Sequence, residues 1–225
     1  MLVLSVSDKV EDYIYHPNIA RRIPGIGMVL ACGDLPYYYI EYLVDTLNVP
    51  VYFVRGNHDS LEEYGEHGIR TKPHGAIDLH RKVVNQQGIL LAGFQGSIRY
   101  RMGMYQYSQK LMWLMVMAMV PRLLINRLIY GRSIDILISH SPPWNINDLQ
   151  DRAHQGFKAL RWLITTFKPA YHFHGHVHMY GHSSTEKGIQ KFQDTLVIST
   201  YGHKLTELDV EKMRERFNKE FVDEG

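Results

Sequence analysis

Residues 51–59 read Val-Tyr-Phe-Val-Arg-Gly-Asn-His-Asp. Four apolar, strand-forming residues in unbroken succession are what a β-strand buried on both faces looks like. A glycine then breaks the run, and an amide, an imidazole and a carboxylate follow it. The same grammar recurs along the chain. Leu2–Val6 ends at Ser7-Asp8, Gly27–Ala31 at Gly33-Asp34, and Ile134–Ile138 at Ser139-His140. Ala170–Phe173 ends at Gly175-His176-Val177-His178. Oxygen and imidazole side chains therefore follow five separate predicted strands, each time at the carboxyl end. Open α/β sheets place their ligand sites along that edge.

Two further runs, Ile89–Ala92 and Leu196–Ser199, predict strands without such an ending. Helices are predicted over Tyr37–Leu47 and Phe157–Phe167, where Phe157, Leu160, Leu163 and Ile164 fall at helical spacing. Strand–helix alternation early, with more strand later, predicts α/β layers around packed sheets. With 225 residues, 45% of them hydrophobic, a single domain over residues 1–225 is expected.

Residues 102–132 stand apart as a helical, methionine-rich insertion. They hold six of the ten methionines. Leu111–Val120 is apolar all round, Pro121 suits the start of a second helix, and Gly131 suits its end. Ten apolar residues are too few to cross a bilayer, which takes about 20. Two readings stand: a helical pair packed on the sheet, or a pliable surface for a partner, a lipid or a greasy substrate, through peripheral membrane contact or oligomerisation. The charged end, Glu211–Gly225, is predicted to be a peripheral helix that frays.

Composition narrows the function. Twenty-five basic and 23 acidic side chains give a formal charge of +2, which is no electrostatic footprint for nucleic acid. The lone cysteine, Cys32, can make no internal disulfide. The start of the chain lacks a basic, apolar and small-residue leader pattern, so a soluble cytoplasmic protein is expected. Thirteen histidines is a high count, and three of them fall within 174–178, which points to metal chemistry.

Each motif alone is weak, because Gly-Asp is commonly a turn and a lone histidine is commonly structural. The ordered set is specific. Asp8, Gly33-Asp34, Gly56-Asn57-His58-Asp59, His140 and Gly175-His176-Val177-His178, in that sequence, resembles the calcineurin-like metallophosphoesterases. That family includes purple acid phosphatases, Ser/Thr phosphatases, many phosphodiesterases and DNA-repair nucleases. The resemblance implies a four-layer α-β-β-α sandwich of two mixed sheets flanked by helices. It implies that Asp34 bridges two metals, that Asp8 and His178 hold the first, and that Asn57, His140 and His176 hold the second. His58 would be the general acid, with Asp59 orienting it.

Two cations about 3.5–4 Å apart can polarise a phosphoryl oxygen and carry a bridging hydroxide for in-line attack. Mixed oxygen and nitrogen ligands suit divalent manganese, iron, zinc or nickel. A small phosphate ester is the expected substrate, with a diester ahead of a monoester. The alternatives are a lipid-linked pyrophosphate, suggested by residues 102–132, and a metal-poor scaffold of the same fold.

The scaffold alternative rests on one departure. The family has Asp-x-His at its first motif, but here Val10 stands where the histidine belongs. Three readings are open: Glu11 or Asp12 supplies an oxygen, water fills the place, or the first site is too weak to hold an ion. Elsewhere, Arg99 in the glycine-rich stretch Gly93–Arg101 is a candidate phosphate binder. His172 and His174 read as packed strand residues. Surface roles are expected for His16, His67, His74, His80, His182 and His203.

Overall fold

A computed structural model describes residues 1–65, 68–178, 188–211 and 213. His67, His182 and nearly all of the C-terminal helix expected over Glu211–Gly225 lie outside the described residues. In chain order the elements begin with β1 (Leu2–Ser7), α1 (Ile19–Arg22), β2 (Ile26–Ala31), α2 (Tyr37–Leu47) and β3 (Val51–Phe53). Then come β4 (Glu63–Gly65), β5 (Gly68–Arg70), β6 (Ile77–Asp78), β7 (Val83–Gln86), β8 (Ile89–Phe94), β9 (Ser97–Ile98) and β10 (Gln106–Tyr107). The last are α3 (Gln109–Tyr130), β11 (Ile136–Ser139), α4 (Lys158–Phe167), β12 (Tyr171–His174), β13 (Ile189–Phe192), β14 (Thr195–Ser199) and β15 (Gly202–Glu207).

Two mixed sheets form. One has the order β15-β1-β2-β3-β6, the other β13-β14-β12-β11-β8-β7. In each, the interior strands are parallel and an antiparallel strand pairs at an edge. Alternate side chains of the buried strands serve different layers. Val3, Met28 and Leu30 face Leu91, Ile136, Ile138 and Phe173 in a core between the sheets. Leu4, Val6, Val29 and Ala31 point outward and pack with Ile19, Tyr39, Ile40 and Leu43 of α1 and α2. Ala92, Phe94, Leu137 and Val197 point outward from the second sheet and meet α3 and α4. This is the expected four-layer α-β-β-α sandwich.

The Met-rich segment differs from expectation. It is one 22-residue helix, α3, which runs through Pro121 instead of restarting there. Ser108 caps its start, accepting from the Leu111 N–H at 3.1 Å, and Gly131 ends it in the left-handed region. Pro121 costs the helix one backbone bond, that of the Met117 carbonyl. Both residues lie on the exposed side, where water can take the bond's place. By length and composition α3 could therefore cross a membrane, which ten residues could not. However, Met112, Met115, Val116, Met119 and Leu123 bury one side of it against the second sheet.

Candidate metal centre

The carboxyl ends of β1, β2, β3, β11 and β12 open on one edge, and the predicted side chains meet there. Asp8 and Asp34, the first residues out of their turns, both have left-handed backbone, with φ of 64° and 54°. His176 does the same at φ 67°. Such conformations are costly outside glycine and collect at functional sites. Two glycines make the close approach feasible. A Cβ on Gly56 would lie 1.9 Å from Asp34 Oδ1, and one on Gly175 would lie 2.5 Å from Asp8 Oδ2.

One group gathers around Asp34. Potential ligand atoms of Asp34, His140 and His176 lie within 4.8 Å of one another. The two imidazoles are oriented from behind. His140 Nδ1 donates to the Cys32 carbonyl at 2.8 Å, and His176 Nε2 donates to the Ala153 carbonyl at 2.7 Å. Carbonyls can only accept, so these bonds leave His140 Nε2 and His176 Nδ1 as the nitrogens that could hold a metal. His140 Nε2 faces Asn57 Oδ1 at 3.2 Å and Asp34 Oδ2 at 3.4 Å. Three electron-rich atoms pointed at one another require a positive charge among them. A proton on His140 supplies it in the bare protein, and a divalent cation fits the same donors.

The second group is Asp8 and His178. The buried Asp8 carboxylate accepts the His176 N–H at 3.0 and 3.1 Å, and His178 Nε2 lies 3.6 Å from Asp8 Oδ1. Asp34 Oδ1 accepts the His58 N–H at 2.8 Å, which joins two of the turns. Asp59 joins them again: Oδ1 accepts from Leu35 N and Oδ2 from Gly56 N, each at 2.8 Å. The His58 side chain stands exposed at the mouth.

The electrostatics follow from this crowding. Burial alone would push the Asp34 carboxyl up, but His140 and the His58 N–H outweigh it and hold Asp34 well below the usual carboxylate range. Burial likewise opposes Asp8, yet His178 and His140 keep it lowered. His140 is pushed up to about 9 despite complete burial, because Asp34 and Asp8 flank it. Burial lowers His176 to about 3 and keeps its ring neutral, as a metal ligand must be. Asp59 is raised to about 7, first by burial and then by repulsion from Asp34.

Other predicted residues fall elsewhere. Val10 packs with the core under α1 and α2. The Glu11 carboxylate is bonded to His203 and lies 3.6 Å from Lys9 Nζ, while Asp12 is exposed. Arg99 is exposed and its guanidinium bonds the Gln106 carbonyl at 3.2 and 3.3 Å. His172 and His174 are packed strand residues as expected, both fully buried. His203 and His80 depart from surface roles. His203 is the partner of Glu11, and His80 Nδ1 accepts the Gln95 N–H at 3.1 Å.

Sequence reasoning gave no role to three neighbours of the site. The Tyr100 hydroxyl accepts from Asn57 Nδ2 at 3.4 Å, which turns the Asn57 oxygen inward. The Ala153 carbonyl fixes His176. The His154 ring lies 5.2 Å from that of His176 and 6.5 Å from that of His178, and is held by Asp151 at 2.9 Å. Proximity of His154 to His140 in sequence was the one available signal.

A family model for the calcineurin-like phosphoesterases matches residues 8–180. No curated protein matches the sequence. The crystal structure of TT1561 from Thermus thermophilus is similar, with a TM-score of 0.59 at 14% identity over 89% of each chain. Another solved structure gives a TM-score of 0.58 at 13% identity, covering 91% of this chain and 93% of its own. At these identities the likeness speaks for the fold, while the family match spans the full run of ligand motifs. The chain belongs to the calcineurin-like phosphoesterases, and is a metal-dependent phosphoric ester hydrolase.

Proposed function

We propose that the protein hydrolyses small phosphodiesters ahead of monoesters, using two divalent ions of unequal affinity. The observation that carries this reading is the convergence of Asp34, Asn57, His140 and His176 on one point, with Asp8 and His178 beside it. Asp34, Asn57, His140 and His176 would hold the tighter ion. Asp8, Asp34 and His178 would hold the other. Manganese, iron, zinc or nickel suits these donors. Two such cations, when bound, polarise a phosphoryl oxygen and lower the pKa of water so that hydroxide is available at neutral pH.

The chain's own residues do the rest. His58, on the exposed lip, is placed to give a proton to the departing ester oxygen. Asp59 holds the turn that presents it. The open mouth supports a diester, because the exposed His58 and half-exposed His178 leave room for a second ester arm.

The unequal affinity rests on Val10, Glu11 and Asp12. Val10 faces the core, Glu11 is engaged by His203, and Asp12 is exposed, so the first site has three protein ligands. Three ligands with one open position suffice for catalysis in other metal sites.

The test uses metal-stripped protein with bis-p-nitrophenyl phosphate and p-nitrophenyl phosphate, restored with manganese, nickel, zinc or magnesium. Turnover that returns with metal and is lost in both His58→Ala and Asp34→Ala is expected, with the diester faster. No turnover with any metal, together with no metal uptake, would establish the scaffold reading instead.

A further inference from the structure

Helix α3 has two apolar sides. One is buried on the second sheet. The other carries Leu114, Met117, Leu124, Ile125, Leu128 and Ile129, all exposed, with Leu128 at 87%, Ile129 at 63% and Leu114 at 59%. At about 100° per residue these side chains, with Ala118 and Pro121 between them, span one arc of roughly 140° from Leu114 onward, and the exposed Lys110 lies in the same arc one turn before Leu114. An outer-layer helix of a globular protein ordinarily turns charged and polar residues to that side.

The charges of α3 are all of one sign. Gln109–Tyr130 contains Lys110, Arg122 and Arg127 and no acidic residue. By the same helical geometry Arg122 stands on one border of the apolar arc, and Lys110 lies in line with Leu114 and Leu128 at the start of the helix. An apolar stripe accompanied by long cationic side chains, with no acidic residue on the helix, suits a helix lying in the plane of a bilayer surface. There the stripe enters the acyl boundary, and Lys110 and Arg122 reach back to the headgroups.

We propose that α3 docks the protein on an anionic phospholipid surface. A transmembrane placement is ruled out by the buried side of the helix, which belongs to the sandwich core. A second copy of the chain is a poorer occupant. Pairing α3 with itself would bring two cationic, acid-free helices together, whereas anionic headgroups neutralise them.

The start of the same helix is tied to the loop that borders the metal centre. Gln109 Nε2 donates to the Gly156 carbonyl at 2.9 Å, and Gln109 Oε1 accepts the Lys158 N–H at 3.0 Å. These bonds pin the loop whose Ala153 carbonyl fixes His176.

The test is co-sedimentation of the full chain with phosphatidylcholine vesicles and with mixed phosphatidylcholine–phosphatidylglycerol vesicles. Binding to the mixed vesicles is expected, much weaker on neutral ones and weakened by salt. Leu124→Glu and Leu128→Glu should each reduce binding at least about tenfold. Thermal melts should stay unchanged, because both side chains are exposed. Protein that stays in the supernatant with anionic vesicles overturns the proposal. So does a dimer in light scattering that Leu128→Glu splits. Both readouts are independent of turnover, so failure here and failure of the hydrolase reading are separable.

Discussion

Asp34 follows a strand of one sheet, His140 follows a strand of the other, and His140 Nε2 lies 3.4 Å from Asp34 Oδ2. The metal centre is therefore a property of how the two sheets pack. In the bare protein the imidazolium of His140 takes the place of the cation.

This contact predicts the outcome of His140→Ala. Asp34 would lose both its neutralising partner and its fellow ligand. Affinity for the tighter ion should fall by more than the roughly 10–100-fold seen when a mere supporting residue is lost. Isothermal titration of metal-stripped protein with manganese or zinc would check it.

Asp59 bonds two backbone N–H groups from two different turns. Asparagine offers a single acceptor oxygen, so Asp59→Asn leaves one of them unsatisfied. The variant should lose about 1–3 kcal/mol of stability. It should also bind metal about 10–100-fold more weakly. Denaturant melts and metal titration read the two effects separately.

Glu11 is held by His203, and Asp12 is exposed. Glu11→Gln and Asp12→Asn should therefore leave the metal stoichiometry unchanged, whereas Asp8→Ala should remove one ion. Elemental analysis after dialysis against manganese distinguishes these outcomes. Loss of an ion in Glu11→Gln would mean that Glu11 leaves His203 when metal arrives.

Four histidines, the buried His172, His174 and His176 and the half-buried His80, predict acid sensitivity. Burial lowers His80 to about 4 from 6.5, lowers His174 to about 4 and His176 to about 3, and lowers His172 well below 6.5. Each stays neutral in the folded protein but takes a proton when unfolded, so stability falls as pH drops from about 6.5 towards 4. Asp59, raised to about 7, takes its proton in the folded state first and offsets part of this loss. The urea midpoint of metal-stripped protein should fall between pH 6.5 and pH 4.5. It should fall less in His80→Asn, which keeps an acceptor for the Gln95 N–H.

The buried parallel strands were legible because burial on both faces leaves a continuous apolar run, as in Val51–Val54. Edge strands such as β13 and β15 were not, because their largely exposed side chains leave no continuous apolar run. The break expected at Pro121 fails for a related reason. The sequence shows the missing N–H, but only the fold places Met117 and Pro121 on the solvent side where its loss is cheap.

The same division holds for the site. Residue types and order by themselves determined the family and the fold class and singled out the candidate ligands, because hard oxygen and imidazole donors recur after one strand after another. Tertiary structure alone decided which nitrogen of His140 and His176 faces inward, since that depends on the Cys32 and Ala153 carbonyls from distant segments. It also decided that Glu11 belongs to His203, across 192 residues of chain. And it decided which side of α3 meets the sheet, because an apolar helix carries no amphipathic signal to say which face packs and which is left to solvent.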